Sequence, residues 1–292
     1  ERYCHQIIQR LQLDQNSLIV EVAANDGYLL KNFVAAAIPC LGIEPTDSTA
    51  DHAEKLGIPI LREFFGQQLA QELTEQGKQA DLIVGNNVYA HVPDINDFTA
   101  GLKTLLTNDG TITLEFPHLL QLIQHRQFDT VYHEHFSYLS LNTVCQIFDK
   151  EGLRVFDVET LPTHGGSLRI YACHAGDKRS TQTAVSNLLA KEKTFGLSNL
   201  STYTGFQGYA EHIKQQLIEF LTEQKRLNKS VIAYGAAAKG NTLLNYAGIS
   251  TDLLPLVVDA AASKQGKYLP GSHIPILAPD QISLKKPDFV LI

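Results

Sequence analysis

The chain has 292 residues, 44% hydrophobic and 19% charged, which is typical of a globular protein long enough for two domain cores. Its formal charge of −7 argues against a nucleic-acid or anionic-membrane partner and leaves small molecules as the expected ligands. No apolar run reaches the roughly 18 residues of a membrane span and no signal peptide is expected, so the sequence predicts a cytoplasmic protein. The four cysteines form no CxxC pair, which argues against a disulfide framework or a zinc knuckle.

Strands and helices alternate along the first half of the chain. The β-branched run "SLIVEV" (17–22) predicts a strand that ends in the turn-prone "AANDG". The helical pattern "YLLKNFVAAA" and the strand "PCLGIEP" follow, and this βαβ opening implies a parallel sheet flanked by helices. "DLIVGNNV" and "TITLEFP" predict further buried strands around a helix near 95–106, and "TVCQIFDKEG" predicts another helix.

A hairpin should close this first domain. "LRVFDVETLPTHGGSLRIYACH" predicts two strands about a Gly-Gly turn, ending near residue 178, and the polar stretch 179–204 is typical of a connector. From Gly205 a helix, the strand "SVIAYG", a Gly/Ala loop, the helix "NTLLNYAG" and the strand "LLPLVVD" indicate a second, smaller α/β unit. We therefore predict an α/β protein with domains at 1–178 and 179–292.

Acidic and small residues follow the first two predicted strands. Open parallel sheets bind ligands beyond the carboxyl ends of their strands, where Glu21, Ala23, Asn25 and Gly27 precede Glu44 by about twenty positions. An acidic side chain there can accept hydrogen bonds from the ribose hydroxyls of a nucleoside cofactor. The loop lacks the full G-x-G-x-x-G pattern for a pyrophosphate, which favours S-adenosylmethionine over NAD. The alternative is an ordinary tight turn followed by a surface glutamate.

The stretch "YHEHFSYLS" (132–140) carries more acid and base groups than a fold requires. We expect Tyr132, Glu134 and His135 to gather near His91, which follows the strand "DLIVGNNV". A histidine can accept a proton at neutral pH, and an adjacent carboxylate can orient it. Tyrosine and a second histidine could stabilise an oxyanion. The alternatives are a His-x-His metal site and a packed polar loop.

The second unit carries a small-residue loop, "YGAAAKGNT" (234–242). Gly235 and Gly240 have the P-loop interval, but the lysine is Lys239 and Asn241 stands where a P-loop needs lysine. Nucleotide hydrolysis is therefore not expected. Backbone N–H groups at a helix start and the charge of Lys239 could still bind a diphosphate, the alternative being a close-packed turn.

Taken together, these segments resemble the S-adenosylmethionine-dependent sugar C-methyltransferases that act on nucleotide-linked keto-deoxysugars. Seven motifs stand in the family's order: "VEVAANDGYLL", "NNVYAHVPD", "LEFPHLL", "YHEHFSYLS", "THGGSLRIY", "YGAAAKGNTLLNY" and "KQGKYLPGSHIPI". The resemblance implies a Rossmann-like methyltransferase domain that binds the donor and a smaller C-terminal Rossmann-like domain that binds the nucleotide sugar. It implies that His135 is the catalytic base, with Glu134, Tyr132 and His91 as the other catalytic residues.

We also expect the following binding residues, and no metal, because a sulfonium donor requires none. The residues expected to bind the donor are Glu21, Ala23, Asn25, Gly27, Glu44, Asn86 and Asn87. The residues expected to bind the substrate are His164, Gly235, Lys239, Gly240, Asn241, Asp259 and Lys264.

The chain departs from the family in three places. We expect the small zinc-binding domain that usually opens the family to be missing from this sequence, Ala23 replaces the usual first-loop glycine, and the usual D-R-x-P-x-K stretch is "DAAASK" (259–264). The last change puts in doubt which nucleotide or sugar is bound. Three other functions stay open: a methyltransferase of another keto substrate, an NAD-dependent nucleotide-sugar dehydrogenase or epimerase, and a non-catalytic nucleotide-sugar binding module.

Overall fold

A computed structural model describes Glu1–Ile292, except for the side chain of His164. The chain folds into two compact units. Unit 1 comprises Glu1–Gln121 and His135–Ser198, and unit 2 comprises Leu122–Glu134 and Asn199–Ile292. In the part of the chain that the structure describes, no helix is both long enough and apolar enough to cross a membrane.

Unit 1 contains a seven-stranded sheet. Its strands are β1 (Ile19–Val22), β2 (Cys40–Ile43), β3 (Ile60–Leu61), β4 (Ala80–Asn86), β5 (Leu106–Pro117), β6 (Leu153–Leu161) and β7 (Ser167–His174). Their order is β3-β2-β1-β4-β5-β7-β6; β7 pairs antiparallel with both β5 and β6, and the other described pairs are parallel. The predicted parallel sheet with a closing hairpin is therefore confirmed.

Helices cover both faces of this sheet. The α-helices that begin before residue 199 are α1 (Arg2–Leu11), α2 (Lys31–Ala35), α3 (Asp47–Lys55), α4 (Gln67–Glu75), α5 (Ile95–Leu105), α6 (Leu119–Gln124), α7 (Leu141–Lys150) and α8 (Thr183–Phe195). Side chains alternate along a strand, so Val20 and Val22 pack into one core cluster and Ile19 into another on the opposite face. Both faces are apolar, as a buried parallel sheet requires.

Unit 2 contains a four-stranded parallel sheet of its own. Its helices are α9 (Ser201–Thr204), α10 (Phe206–Arg226), α11 (Ala238–Ala247) and α12 (Asp280–Lys285), and its strands are β8 (Val231–Tyr234), β9 (Val257–Val258), β10 (Ile276–Leu277) and β11 (Phe289–Leu291). The strand order is β10-β9-β8-β11. Leu217 and Leu221 of α10, Leu244 of α11 and Val231 of β8 are buried in one cluster. This is the smaller α/β unit that the sequence predicts.

The boundary between the units differs from the predicted one at residue 178. The predicted connector contains α8, whose Val185 and Leu188 are buried in the core of unit 1. The stretch 179–204 is polar overall, so a connector was predicted. Val185 and Leu188 nevertheless lie three residues apart on one helix face, as expected for a helix packed on a core. Residues 122–134 belong to unit 2, and no pattern in the sequence separates them from their neighbours.

Candidate functional site

The loop after β1 has an unusual backbone. Ala23, Asn25 and Gly27 all adopt positive φ, at 60°, 53° and 78°, which only glycine accepts without a steric cost. At Gly27 a Cβ atom would lie 2.4 Å from Ile58 Cδ1. Ala23 adopts the left-handed conformation that the glycine usual in the family would favour.

Glu44 follows β2 and connects it to this loop. Its Oε2 accepts the Asn25 N–H at 3.0 Å, and its Oε1 accepts the Thr46 N–H at 2.9 Å. The residue is 7% exposed. A carboxylate has about four lone-pair positions, so each oxygen keeps capacity for one more donor. The predicted ribose contact of Glu44 is therefore chemically possible in this geometry.

Glu21 lies on β1, two residues before Ala23, and is 1% exposed. Its Oε2 has no hydrogen-bond partner among the described residues. Burial raises the pKa of the Glu21 carboxyl well above its ordinary value, and the nearby charge of Asp26 adds to the effect. Burial raises the pKa of the Tyr28 hydroxyl, and the Asn86 side chain at the end of β4 acts in the opposite direction. The Asn87 N–H donates to Glu115 O at 2.7 Å, and Asn87 has a φ of 54°.

Three observations show that these residues suit the methyl donor. Glu21 is a buried carboxyl with an unpaired oxygen, the loop after β1 has left-handed backbone, and Glu44 after β2 has spare acceptor positions. Because β1, β2 and β4 are neighbours in a parallel sheet, the residues after their carboxyl ends share one edge.

His91 and His135 lie together in unit 1. Their ring centroids are 4.7 Å apart and the rings meet edge to face at 75°. Tyr138 lies 6.0 Å from the His135 ring, and all three side chains are half-buried. His91 ends the short 3₁₀ helix Tyr89–His91 after β4, so the pair stands at the same edge as the loop after β1.

Backbone hydrogen bonds hold the two histidines in place. The N–H groups of Phe136 and Ser137 donate to Ala90 O at 2.9 and 3.2 Å. Tyr89 is fully buried, and its hydroxyl lies 2.8 Å from Thr99 Oγ1. The 3₁₀ turn is thus fixed by a core side chain, and the segment after His135 is fixed to that turn.

A cavity of about 430 Å³ opens in unit 2. It is lined by Tyr132, His133, Glu134, Ala236, Ala237, Ala238, Asn241, Thr242, Ser263, Lys264, Lys267, Tyr268, Leu269, Pro270 and Ile276. The helix α11 begins at this lining, so its first backbone N–H groups are close to the cavity. Asn241 Oδ1 is buried and has no hydrogen-bond partner within the described chain, which leaves it available to a ligand that carries a donor.

Asp259 binds a backbone N–H group of the loop that precedes α11. Its Oδ2 accepts the Ala236 N–H at 2.7 Å, and its Oδ1 accepts the Ala261 N–H at 2.8 Å. Lys264 Nζ lies 3.2 Å from Asp259 Oδ2 and donates to Ala236 O at 3.0 Å. The backbone N–H of Ala261 and then that of Ala236 lower the pKa of Asp259, with Lys264 contributing less. Asp259 therefore holds the loop in place. Its partner Lys264 is a charged side chain that also lines the cavity.

The structure brings together some of the predicted residues. His91 joins His135, and the residues after β1, β2 and β4 share one sheet edge. Tyr132 and Glu134 lie in unit 2 on the cavity, together with Asn241 and Lys264, whereas Gly235, Lys239, Gly240 and Asp259 are not among its lining residues. The predicted role of His164 lies outside the described residues.

Sequence reasoning missed several polar residues. His118 follows β5 and is 1% exposed, and Glu192 of α8 is 2% exposed. His118 could have been found by the rule that residues directly after strands are often functional. The sequence of the polar helix around Glu192 gives no sign that this residue is buried. Lys267 and Tyr268 line the cavity and lie inside the quoted motif "KQGKYLPGSHIPI".

The strand order and the acidic residues after β1 and β2 define a Rossmann-like methyltransferase. Residues 1–158 match the family model described as "Methyltransferase domain", and residues 162–292 match "C-methyltransferase C-terminal domain". The C-methyltransferase NovU of Streptomyces niveus is 35% identical over 285 residues, which is 98% of this chain and 68% of that protein.

Solved structures with similar folds include an S-adenosylmethionine-dependent methyltransferase from Clostridium acetobutylicum. It is 10% identical, with a TM-score of 0.48 over 60% of this chain and 90% of that one. Magnesium protoporphyrin IX methyltransferase from Synechocystis with bound SAH is 14% identical, with a TM-score of 0.46 over 59% of this chain and 82% of that one.

The chain belongs to the S-adenosylmethionine-dependent C-methyltransferases. It is an enzyme, and its methyl donor is S-adenosyl-L-methionine.

Proposed function

We propose that the enzyme methylates a carbon next to the ketone of a nucleotide-linked keto-deoxysugar. The observation that carries the proposal is the His91–His135 pair. The pair lies at the same edge of the sheet as the loop after β1 (23–27), which we call the donor loop. A carbon nucleophile must first lose a proton, and a ketone makes the adjacent C–H acidic enough for a histidine to remove it.

His135 is the proposed base. In its neutral form one ring nitrogen carries no proton, so it can accept the substrate proton and become an imidazolium. His91, 4.7 Å away between ring centroids, can donate a hydrogen bond to the enolate oxygen that forms at the former ketone. The bound donor supplies an electrophilic methyl group on a positively charged sulfur. The chemistry of the sequence motif predicts a second enolate hydrogen bond from Tyr132 and the orientation of the base by Glu134, and these roles stay predictions.

The cavity of unit 2 is the proposed site of the nucleotide sugar. Lys264 and Lys267 bring positive charge to it, which suits a diphosphate, and α11 begins beside it with the backbone N–H groups of its first turn. Tyr268 is 64% exposed and offers a ring face against which a base could stack. Asn241 Oδ1 could accept a hydrogen bond from an N–H or O–H of the ligand.

Proton exchange tests the base directly. In heavy water with S-adenosylhomocysteine bound, wild-type enzyme should exchange the substrate proton next to the ketone, and His135→Asn should lose this exchange and about 10²-fold or more in turnover. An exposed histidine on α1 gives the control His5→Asn, which should match wild type. Exchange that persists in His135→Asn but is lost in His91→Asn would assign the base to His91. Exchange that survives both changes would refute the mechanism.

A lysine pair tests the binding site. Lys264→Ala should raise the KM for the nucleotide sugar and leave the KM for the donor unchanged. Lys239→Ala is the comparison, since the sequence predicted this lysine but it does not line the cavity. If only Lys239→Ala raises the sugar KM, the diphosphate binds at the loop and not in the cavity. Mass detection of a 14-dalton gain across a panel of nucleotide keto-sugars identifies the substrate, and a panel without any gain would argue against the proposed class.

A further inference from the structure

A buried histidine–glutamate pair stands apart from the donor loop in unit 1. His118 Nε2 lies 2.7 Å from Glu192 Oε1, and the two residues are 1% and 2% exposed. The ring nitrogen is the donor, because the carboxylate also accepts two backbone N–H groups. His118 Nδ1 has no hydrogen-bond partner in the described residues.

Glu192 also binds the start of α7. The Leu141 N–H donates to its Oε1 at 2.7 Å, and the Asn142 N–H donates to its Oε2 at 2.9 Å. A negative charge is stabilised at a helix N-terminus. This helix already has an ordinary cap, since Ser140 Oγ accepts the Thr143 N–H at 3.1 Å. Burying a carboxylate here is costly and is not required by the capping of α7 alone.

The segment between these contacts contains the proposed base. We call residues 135–141 the histidine strap. Near its start, two N–H groups of the strap donate to Ala90 O. Near its end, Leu139 O accepts the Leu119 N–H at 2.9 Å, and Leu141 is bound by Glu192. The backbone of His118 is fixed in turn, since its N–H donates to Gly166 O at 3.1 Å.

We infer that Glu192, held by His118, is a positioning residue for His135 through the histidine strap. The inference rests on the proposed function. Glu192 lies on α8, about fifty positions from the strap in sequence, and binds the strap through a backbone N–H. Substituting side chains within the strap would therefore not remove this contact. Without the Glu192 contact the strap is held by its backbone bonds to Ala90 and Leu119, which leaves more freedom to the half-buried imidazole at its start. A base misplaced by about 1 Å loses on the order of 10²-fold in rate.

Glu192→Gln tests this inference, because the amide keeps the size of the side chain but removes its charge and one acceptor. We expect kcat to fall about tenfold or more, with each KM within about twofold of wild type. The rate of substrate proton exchange with S-adenosylhomocysteine bound should fall by the same factor as kcat. Lys193→Ala changes the exposed neighbour on the same helix and should leave all three quantities unchanged.

His118 provides a second pair of variants if Glu192→Gln folds poorly. His118→Gln keeps an N–H donor toward Glu192 and should retain most of the exchange rate, whereas His118→Leu removes the donor and should lose it. A lowered melting temperature with unchanged kcat and exchange in Glu192→Gln, or equal rates in the two His118 variants, would show a structural role only and overturn the inference. If His135→Asn itself keeps exchanging, the proposed function fails first, so the two failures are distinguishable.

Discussion

Gly27 provides the sharpest test of the donor loop. Its φ is 78°, and a Cβ atom added there would lie 2.4 Å from Ile58 Cδ1 and 3.2 Å from Ala53 Cα. Ile58 is 2% exposed, so its methyl group can move only into a filled core. Gly57 is a matched control, because its φ is also 78° but a Cβ atom there would meet nothing within 4 Å.

The two substitutions share one energy term and differ in another. A left-handed alanine costs about 1–2 kcal/mol, and the lower entropy of the unfolded chain offsets roughly 0.4–1 kcal/mol of it. Overpacking adds about 1–3 kcal/mol at Gly27 alone. We therefore expect Gly27→Ala to destabilise unit 1 by about 2–4 kcal/mol and Gly57→Ala by about 1 kcal/mol.

Calorimetry can measure this difference. The transition that S-adenosylhomocysteine raises belongs to the unit that binds the donor, and it should fall by about 2–4 °C for each kcal/mol. Gly27→Ala should also weaken binding of S-adenosylhomocysteine, whereas Gly57→Ala should not. Equal losses of stability in the two variants would show that the contact with Ile58 and Ala53 carries no energy and would refute the reasoning.

Two further predictions concern Glu21 on β1 and Glu44 after β2. Burial raises the pKa of Glu21, so the stability contributed by its protonated form is fully present below the ordinary value of 4.5 and is lost as the pH rises through the folded pKa. Glu21→Gln should therefore gain melting temperature relative to wild type as the pH rises above 4.5, and a difference independent of pH would argue against a buried, titrating carboxyl. Glu44→Ala should weaken S-adenosylhomocysteine binding by about 1–3 kcal/mol in isothermal titration, and Glu44→Gln by less, because the amide keeps one acceptor; unchanged affinity in Glu44→Ala would remove the ribose assignment.

Most of the sheet in unit 1 is predictable because its strands are buried on both faces. Such strands form continuous apolar runs, and turn residues mark where they end. Helices were harder to bound. The pattern "YLLKNFVAAA" predicts a long helix, but α2 covers only Lys31–Ala35, since the backbone after β1 turns before the helix can begin. The helix after β8 begins at Ala238, three residues before the predicted start at Asn241.

The positions of His91 and His135 followed from a rule about topology, since residues after neighbouring parallel strands share one edge. The same rule applied to His118 but was not used there. The burial of Glu192 could not be predicted from the sequence, because a glutamate in a polar helix is ordinarily exposed. Only the packing of α8 within unit 1 buries it. A buried charge is visible in a sequence only when the partners that stabilise it are known, and His118 lies 74 positions away.

Sequence proximity was the weakest guide within the motif "YHEHFSYLS" (132–140). Glu134 and His135 are joined by one peptide bond, yet the first belongs to unit 2 and lines its cavity, and the second belongs to unit 1 and contacts His91. A motif read as one catalytic group therefore contains residues held by two separate cores. The hydrogen bonds of Phe136 and Ser137 to Ala90 fix His135 from the side of unit 1, and they do so through backbone atoms. Because every residue except proline has the same backbone N–H, the letters of the motif could not reveal which of its side chains this anchoring would hold beside His91.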